Sequence, residues 1–297
     1  MYDVIIIGMG PAGISAGIYA KRSGMNVLML EKEAPGGLMN KTNIVDNYPG
    51  FKNITGPELA LKMFNHIKEQ EVPYKIEEVI DIDIQKNKKI VKTNKNTYET
   101  KAVILTAGRQ PRKPKLKGIT ELEGKGVSYC SVCDAPLFKG KDVAIIGSGN
   151  SAFEEGIYIS SFVKNLYILS SKDEIKADKI LQKKVKKIKN IKIMKNSIVL
   201  SLESNEGVLS GVILENGKKI EVQGLFVYIG YSPTTAYLEA LNILDSKGYI
   251  EVNENMETKV KGFYAAGDVI KKDLYQIVTA VSEGAIAAVN AKKYISK

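Results

Sequence analysis

Two stretches of the chain open on the same alternation of apolar and polar positions. Residues 2–7 are apolar and β-branched after Tyr2-Asp3, which predicts a buried strand, and they run into Gly8-Met9-Gly10-Pro11-Ala12-Gly13. Ile14, Ile18 and Ala20 follow at helical spacing, Gly24 ends that pattern, and a second apolar run from Val27 to Leu30 closes on Glu31. Val143 to Ile146 likewise runs into Gly147-Ser148-Gly149-Asn150-Ser151-Ala152, then a helical pattern holding Glu154 and Glu155, then a strand from Leu166 to Leu169. Glu31 stands 23 positions after Gly8, and Ser170 stands 23 positions after Gly147. The repeat is strand, glycine turn, helix, strand. In the first copy it ends on an acid and in the second on a serine.

Between and beyond the copies the pattern changes. Leu59, Met63 and Ile67 predict a helix over 57–70. Residues 74–105 alternate in period two, with turn signals at Lys86-Asn87 and Asn94-Lys95-Asn96, which predicts an antiparallel meander ending on Ala102 to Gly108. Gly36-Gly37-Leu38 and Asp46 to Phe51 read as loops able to wrap an extended cofactor. Pro111, Pro114 and Gly118 mark a linker. A lysine-rich helix is expected over 178–189, a strand over 224–230, and a crossing back at Ser232-Pro233. The tail predicts a strand through Gly262 to Asp268 and a helix from about Gln276 to Ile295, where Gly284, Ala285, Ala287 and Ala288 permit close packing.

The glycine turns have a physical meaning. They bend the chain sharply and let backbone N–H groups approach a pyrophosphate at a helix N-terminus, while an acid at the next strand tip takes ribose hydroxyls. Each unit therefore reads as a dinucleotide-binding fold, and the second lacks the expected acid.

Composition adds limits. A chain of 297 residues has room for two domains. Its start lacks the basic and apolar regions of a signal peptide, and no segment has the length of a membrane span, so a cytoplasmic protein without membrane attachment is expected. Charge is +10, from 43 Lys+Arg against 33 Asp+Glu, with arginine only at 22, 109 and 112. A basic face for an acidic protein partner is one reading and a lysine-rich composition without function is the other. No basic motif interleaves with aromatics, which argues against nucleic acid.

The chemistry concentrates in Cys130-Ser131-Val132-Cys133-Asp134, which holds both cysteines of the chain. That spacing closes a small disulfide ring that can reopen as a dithiol. A closed zinc site needs about four N/S ligands, and beyond the cysteines the chain has one histidine, His66, expected on a helix surface. Two structural cysteines are the plainer alternative, but in a reducing compartment a lone pair at this spacing favours redox chemistry.

Two dinucleotide folds, a CxxCD motif opening the second, and a terminal Ala266-Gly267-Asp268 before a Gln-containing helix resemble the low-molecular-weight thioredoxin reductases over the whole chain. The resemblance implies an α/β fold of two Rossmann-like domains of the three-layer ββα type, the second inserted into the first. The FAD domain would comprise 1–111 and 243–297, and the pyridine-nucleotide-type domain 115–240. It further implies FAD contacts from Gly8, Gly10, Pro11, Ala12, Gly13 and Glu31, from Gly36, Gly37, Leu38 and Asn47, from Ala107 and Gly108, and from Gly267, Asp268, Tyr275, Gln276 and Ile277. Free N–H groups at the start of the last helix would face the flavin ring. Cys133 would lie against the flavin, Cys130 would attack thioredoxin, and Asp134 would relay the proton. A homodimer is expected on the same ground.

The chain departs from this family where it normally reads NADPH. A His-Arg-Arg…Arg cluster is replaced by Ser170-Ser171-Lys172-Asp173-Glu174-Ile175-Lys176. The main expectation is therefore a degenerate NADPH site and reduced ferredoxin as electron donor, as in the ferredoxin-dependent flavin thioredoxin reductases. The alternative is an NADPH enzyme that grips the 2′-phosphate with Lys172 and Lys176. A non-catalytic flavin redox sensor is a third reading.

Overall fold

A computed structural model describes residues 1–86 and 88–296. Asn87, half of one expected turn, and Lys297, the end of the expected FAD domain, lie outside the described residues. Six α-helices occur among the described residues: α1 (Pro11–Arg22), α2 (Gly56–Glu69), α3 (Ser131–Asp134), α4 (Asn150–Ser160), α5 (Lys179–Lys186) and α6 (Ile277–Ile295). The chain forms two compact units, one of residues 1–40, 44–110 and 232–297, the other of 41–43 and 111–231.

In the first unit, strand Tyr2–Ile7 lies between Val27–Glu31 and Thr97–Leu105, parallel to both. Its side chains alternate as a strand buried on both faces requires. Val4 and Ile6 join a core with Ala12, Ala16 and Ala287 of α1 and α6, while Ile5 and Ile7 join a second core with Leu28, Leu30 and Ile250. Strand Thr97–Leu105 is divided lengthwise. Its first half pairs antiparallel with Lys89–Thr93, which pairs in turn with Val79–Ile84, and its second half pairs parallel with Phe263–Ala265. The tail strand is thereby placed beside the glycine turn. Tyr74–Ile76, expected in the meander, pairs parallel with Val27–Glu31 instead.

The second unit repeats the design. Its parallel sheet runs Val127–Ser128, Gly224–Val227, Asp142–Ile146, Asn165–Leu169, Ile191–Met194. Val143, Ile145 and Phe226 pack toward Phe153 of α4 and Val185 of α5. Ala144, Leu225 and Val227 point the other way, onto an antiparallel layer built from Val199–Asn205, Val208–Leu214 and Lys219–Glu221. Helix, sheet and meander make three layers, as expected.

The second unit ends at Tyr231, earlier than the expected 240, and the first resumes at Ser232 rather than 243. The cause is packing: Leu238 and Ile243 are buried in the first unit's core with Ile250 and Phe263. The lysine-rich helix spans Lys179–Lys186 instead of 178–189, and strand Gly224–Val227 stops short of residue 230. Gly37–Lys41, expected as loop, closes a 3₁₀ turn.

Candidate functional site

The first glycine turn is built for close approach. Gly8 has φ +101°, and a Cβ there would meet the Thr106 carbonyl oxygen at 2.5 Å. A Cβ on Gly13 would lie 1.9 Å from the Gly8 carbonyl oxygen, so α1 can press onto the turn only with glycine there. Gly10, by contrast, faces open space and caps α1 without any side-chain hydrogen bond, ahead of Pro11. The N-terminus of α1 therefore keeps its unpaired N–H groups for an anion. At the strand tip, one Glu31 oxygen accepts the Met9 N–H at 2.7 Å and the other accepts those of Lys32 and Glu33. Gly36 donates its N–H to the Met9 carbonyl, and the Cβ position of Gly37 is 3.4 Å from Gly10 Cα, which brings the Gly36-Gly37-Leu38 segment against the same turn.

The tail adds the other side of this cleft. The Cβ position of Gly267 is 2.8 Å from Ala12 Cβ. Next to it, Asp268 Oδ2 accepts hydrogen bonds from Arg109 Nε at 3.2 Å and from its terminal nitrogen at 2.8 Å. Arg109, directly after Ala107 and Gly108, lies 3.9 Å from the centre of the Tyr275 ring. Asn47 donates to Gln276 Oε1 at 3.1 Å. Ahead of Ile277 at the start of α6, the Thr279 hydroxyl accepts the Gln276 N–H at 3.3 Å and donates to the Gln276 carbonyl at 3.0 Å. An uncapped helix start, an acid at the strand tip and a carboxylate across the cleft fit a dinucleotide with a polar linker, as FAD has.

In the second unit Cys130 and Cys133 are disulfide-bonded across α3. Cys130 caps this short helix, its Sγ accepting the Cys133 N–H at 3.2 Å. That bond favours a thiolate on Cys130 once the disulfide opens. Cys130 is 8 % exposed, whereas Cys133 is exposed. Ser128 donates to an Asp134 oxygen at 2.6 Å and accepts the Cys130 N–H at 3.0 Å. The Asp134 side chain is thus linked through Ser128 to the Cys130 backbone N–H, and it caps no turn. Ser131, fully buried between the cysteines, donates its N–H to Tyr228 Oη at 3.1 Å and its hydroxyl to Glu155. Burial pushes the Glu155 carboxyl up to about 7, against the hydrogen bond from Ser131 and with a contribution from neighbouring Glu154.

The second glycine turn keeps the form of the first. Gly149 caps α4 with no side-chain bond and faces open space. A cavity of about 150 Å³ opens there, lined by Gly149, Asn150, Ser151, Tyr228 and Tyr231 among others. Asn150 and Asp178 exchange two hydrogen bonds, and the Ala177 N–H bonds the Ser148 carbonyl, which fastens the 170–178 loop to the glycine turn. Ser170 is fully buried, its hydroxyl donating to the Lys172 carbonyl at 2.7 Å. Lys172 and Lys176 on that loop are exposed.

Arg109, Ser128, Glu155 and Tyr228 were not singled out as site residues from the sequence. Arg109 meets Asp268 across 159 positions and Ser131 meets Tyr228 across 97. No local pattern signals such pairs. His66 is exposed on α2, as expected. No helix among the described residues is long and apolar enough to cross a membrane.

Comparison with known proteins places these features in a family context. The model of the pyridine nucleotide-disulphide oxidoreductases matches residues 2–284. The thioredoxin reductase of Bacillus subtilis is 41% identical, with 100% of this chain and 96% of that protein covered. The crystal structure of Lactococcus lactis thioredoxin reductase superposes with a TM-score of 0.96 at 35% identity, covering 100% of this chain and 99% of the other. A ferredoxin-flavin thioredoxin reductase from Clostridium acetobutylicum is less similar, with a TM-score of 0.55 at 32% identity over 98% of this chain and 97% of the other.

Proposed function

Because the chain belongs to the pyridine nucleotide-disulphide oxidoreductases, and among them is a flavoprotein thioredoxin-disulfide reductase, we propose that NADPH is its reductant and thioredoxin its disulfide substrate. This inverts the order of the two donor readings drawn from the sequence. The ferredoxin reading rested on the missing arginines, and lysine supplies the same charge as a point cation without the planar fork.

The observation that carries the proposal is the second glycine turn. Gly149 leaves the N-terminus of α4 uncapped over a cavity, and the loop carrying Lys172 and Lys176 is tied to that turn through Asn150 and Asp178. A pyrophosphate at α4 and a 2′-phosphate near the lysines match these features. Ser170 is spent on its own turn, so the strand tip offers no acid to favour NAD.

FAD, held by the Gly10 turn, Glu31 and Asp268, would supply a two-electron store between nucleotide and disulfide. The remaining steps belong to the chain's own groups. Two electrons break the Cys130–Cys133 bond, and the thiolate favoured on Cys130 attacks the disulfide of thioredoxin. Cys133 then attacks the mixed disulfide and releases dithiol thioredoxin, which restores the starting bond. Asp134, next to Cys133 in the chain and hydrogen-bonded to Ser128, is the carboxyl we assign to hold the proton exchanged with the pair.

An anoxic donor screen tests the proposal. Purified flavoprotein with oxidised thioredoxin is given NADPH, NADH or reduced ferredoxin, and new thioredoxin thiols are counted. Turnover with NADPH is expected; turnover with ferredoxin alone would reinstate the other reading.

A further inference from the structure

Ser131, one of the two residues between the cysteines, is tied to a carboxyl group for which the redox cycle above has no use. Ser131 is fully buried, and both of its donors are taken by residues of the nucleotide-type fold: its N–H by Tyr228, its hydroxyl by Glu155. Glu155 comes from the body of α4, whose N-terminus carries the second glycine turn. One helix therefore reaches the proposed nucleotide site at its first residues and the redox pair at its sixth.

We propose that Glu155 is a positioning residue for the redox pair, which through Ser131 sets how readily the reduced pair yields a thiolate. The inference rests on the Cys130–Cys133 pair being the redox centre proposed above. The physical reason is charge. A carboxylate held against Ser131, between the cysteines, opposes a second negative charge on either sulfur, whereas a neutral carboxylic acid does not. Ser131 can satisfy either state, since its hydroxyl both donates and accepts.

The groups around Glu155 make its ionisation respond to pH near neutrality. Burial raises the carboxyl, Ser131 lowers it in part, and Glu154 on the same helix raises it further. Across from it, the Tyr228 phenol is held well above its ordinary range by burial and by Glu155 itself, so it stays a neutral partner. Asp134 on α3 is engaged by Ser128.

The test uses the intact flavoprotein, reduced chemically with a dithiol under anoxia, so that it needs neither a nucleotide nor thioredoxin. Iodoacetamide alkylation of Cys130 and Cys133 is followed by mass spectrometry from about pH 5.5 to 9, spanning the range in which the thiols titrate. In Glu155→Gln the alkylation rate at pH 7.5 is expected to rise about three- to tenfold, with the whole profile moved to lower pH. Glu155→Asp keeps the charge and should restore most of the wild-type profile. Should Glu155→Gln not fold, Ser131→Ala removes the hydrogen bond that lowers the Glu155 carboxyl, leaves more of it neutral at pH 7.5, and should move the profile in the same direction by less. Profiles of Glu155→Gln, or in its place Ser131→Ala, that superpose on wild type would overturn the proposal. Failure of the wild type to reduce thioredoxin with any donor would instead strike at the function above and would leave this comparison readable.

Discussion

Arg109 holds Asp268 through two nitrogens on one carboxylate oxygen, at 3.2 and 2.8 Å, while its guanidinium carbon lies over the Tyr275 ring, 3.9 Å from the centre. Both partners are mostly buried, and Lys272 approaches the other Asp268 oxygen at 3.6 Å. Asp268 is the carboxylate expected to meet the polar linker of FAD, so Arg109 fixes its orientation before any cofactor arrives. Arg109→Ala should weaken FAD binding about tenfold, equivalent to about 1.4 kcal/mol. Quenching of flavin fluorescence on titration into the apoprotein measures this, and unchanged affinity would remove Arg109 from the site.

The lysine reading of the nucleotide makes a charge-reversal prediction. Lys172 and Lys176 are exposed, so each phosphate contact contributes only about 1 kcal/mol. The double variant Lys172→Glu/Lys176→Glu should raise the KM for NADPH by more than about tenfold through lost attraction and added repulsion. KM for NADH should change little, because it lacks the 2′-phosphate. A parallel rise for both nucleotides would place the lysines away from that group.

Cys130 has the bond that favours a thiolate, yet Cys133 is the more accessible sulfur in this structure. If Cys130 attacks thioredoxin, Cys133→Ser should accumulate a mixed disulfide through Cys130, visible as a thiol-sensitive adduct on non-reducing gels. Cys130→Ser should accumulate none. Adduct formation in Cys130→Ser alone would exchange the two roles.

The packing of α6 on α1 sets a narrow tolerance. A Cβ on Gly284 would fall 2.0 Å from the Ala12 carbonyl oxygen, a backbone atom that cannot step aside. Gly284→Ala should therefore force the helices apart, destabilise the first unit by about 3 kcal/mol and reduce flavin content. Denaturant titration with flavin absorbance as a second probe would show it.

The repeat was legible in the sequence because backbone geometry dictates it. Gly8 and Gly147 need positive φ, and a strand buried on both faces needs runs such as Val4 to Ile7. Gly284 and Ala287 likewise announced a close helix contact. What could not be read were pairings set by tertiary folding between distant positions. Ser131–Glu155 joins two helices, and Arg109–Asp268 joins two strand ends. Glu77 is buried within hydrogen bonds from Thr93, Asn96 and Tyr98, yet nothing local marks it off from neighbouring Glu78. The point of return to the first unit is hard to read for a similar reason, since Leu238 and Ile243 show no helical or strand period and yet join that unit's core.

Lys89 provides a test of stability against pH. It is 2 % exposed, donates from Nζ to the Lys101 carbonyl at 2.8 Å and lies 5.3 Å from the Tyr294 ring centre. Burial lowers its folded-state pKa below the ordinary 10.5. The unfolded chain then binds more protons than the folded one between the depressed value and 10.5, so folding stability rises with pH across that window. Below it the buried charge costs a constant amount. Lys89→Met removes the charge while keeping the bulk, and should be as stable as wild type or more stable by about 1 kcal/mol near pH 7. The advantage should shrink as pH climbs toward 10.5. Urea unfolding of both proteins across that range checks the sign. An advantage for Lys89→Met that grows with pH would show that the ammonium is better solvated folded than unfolded.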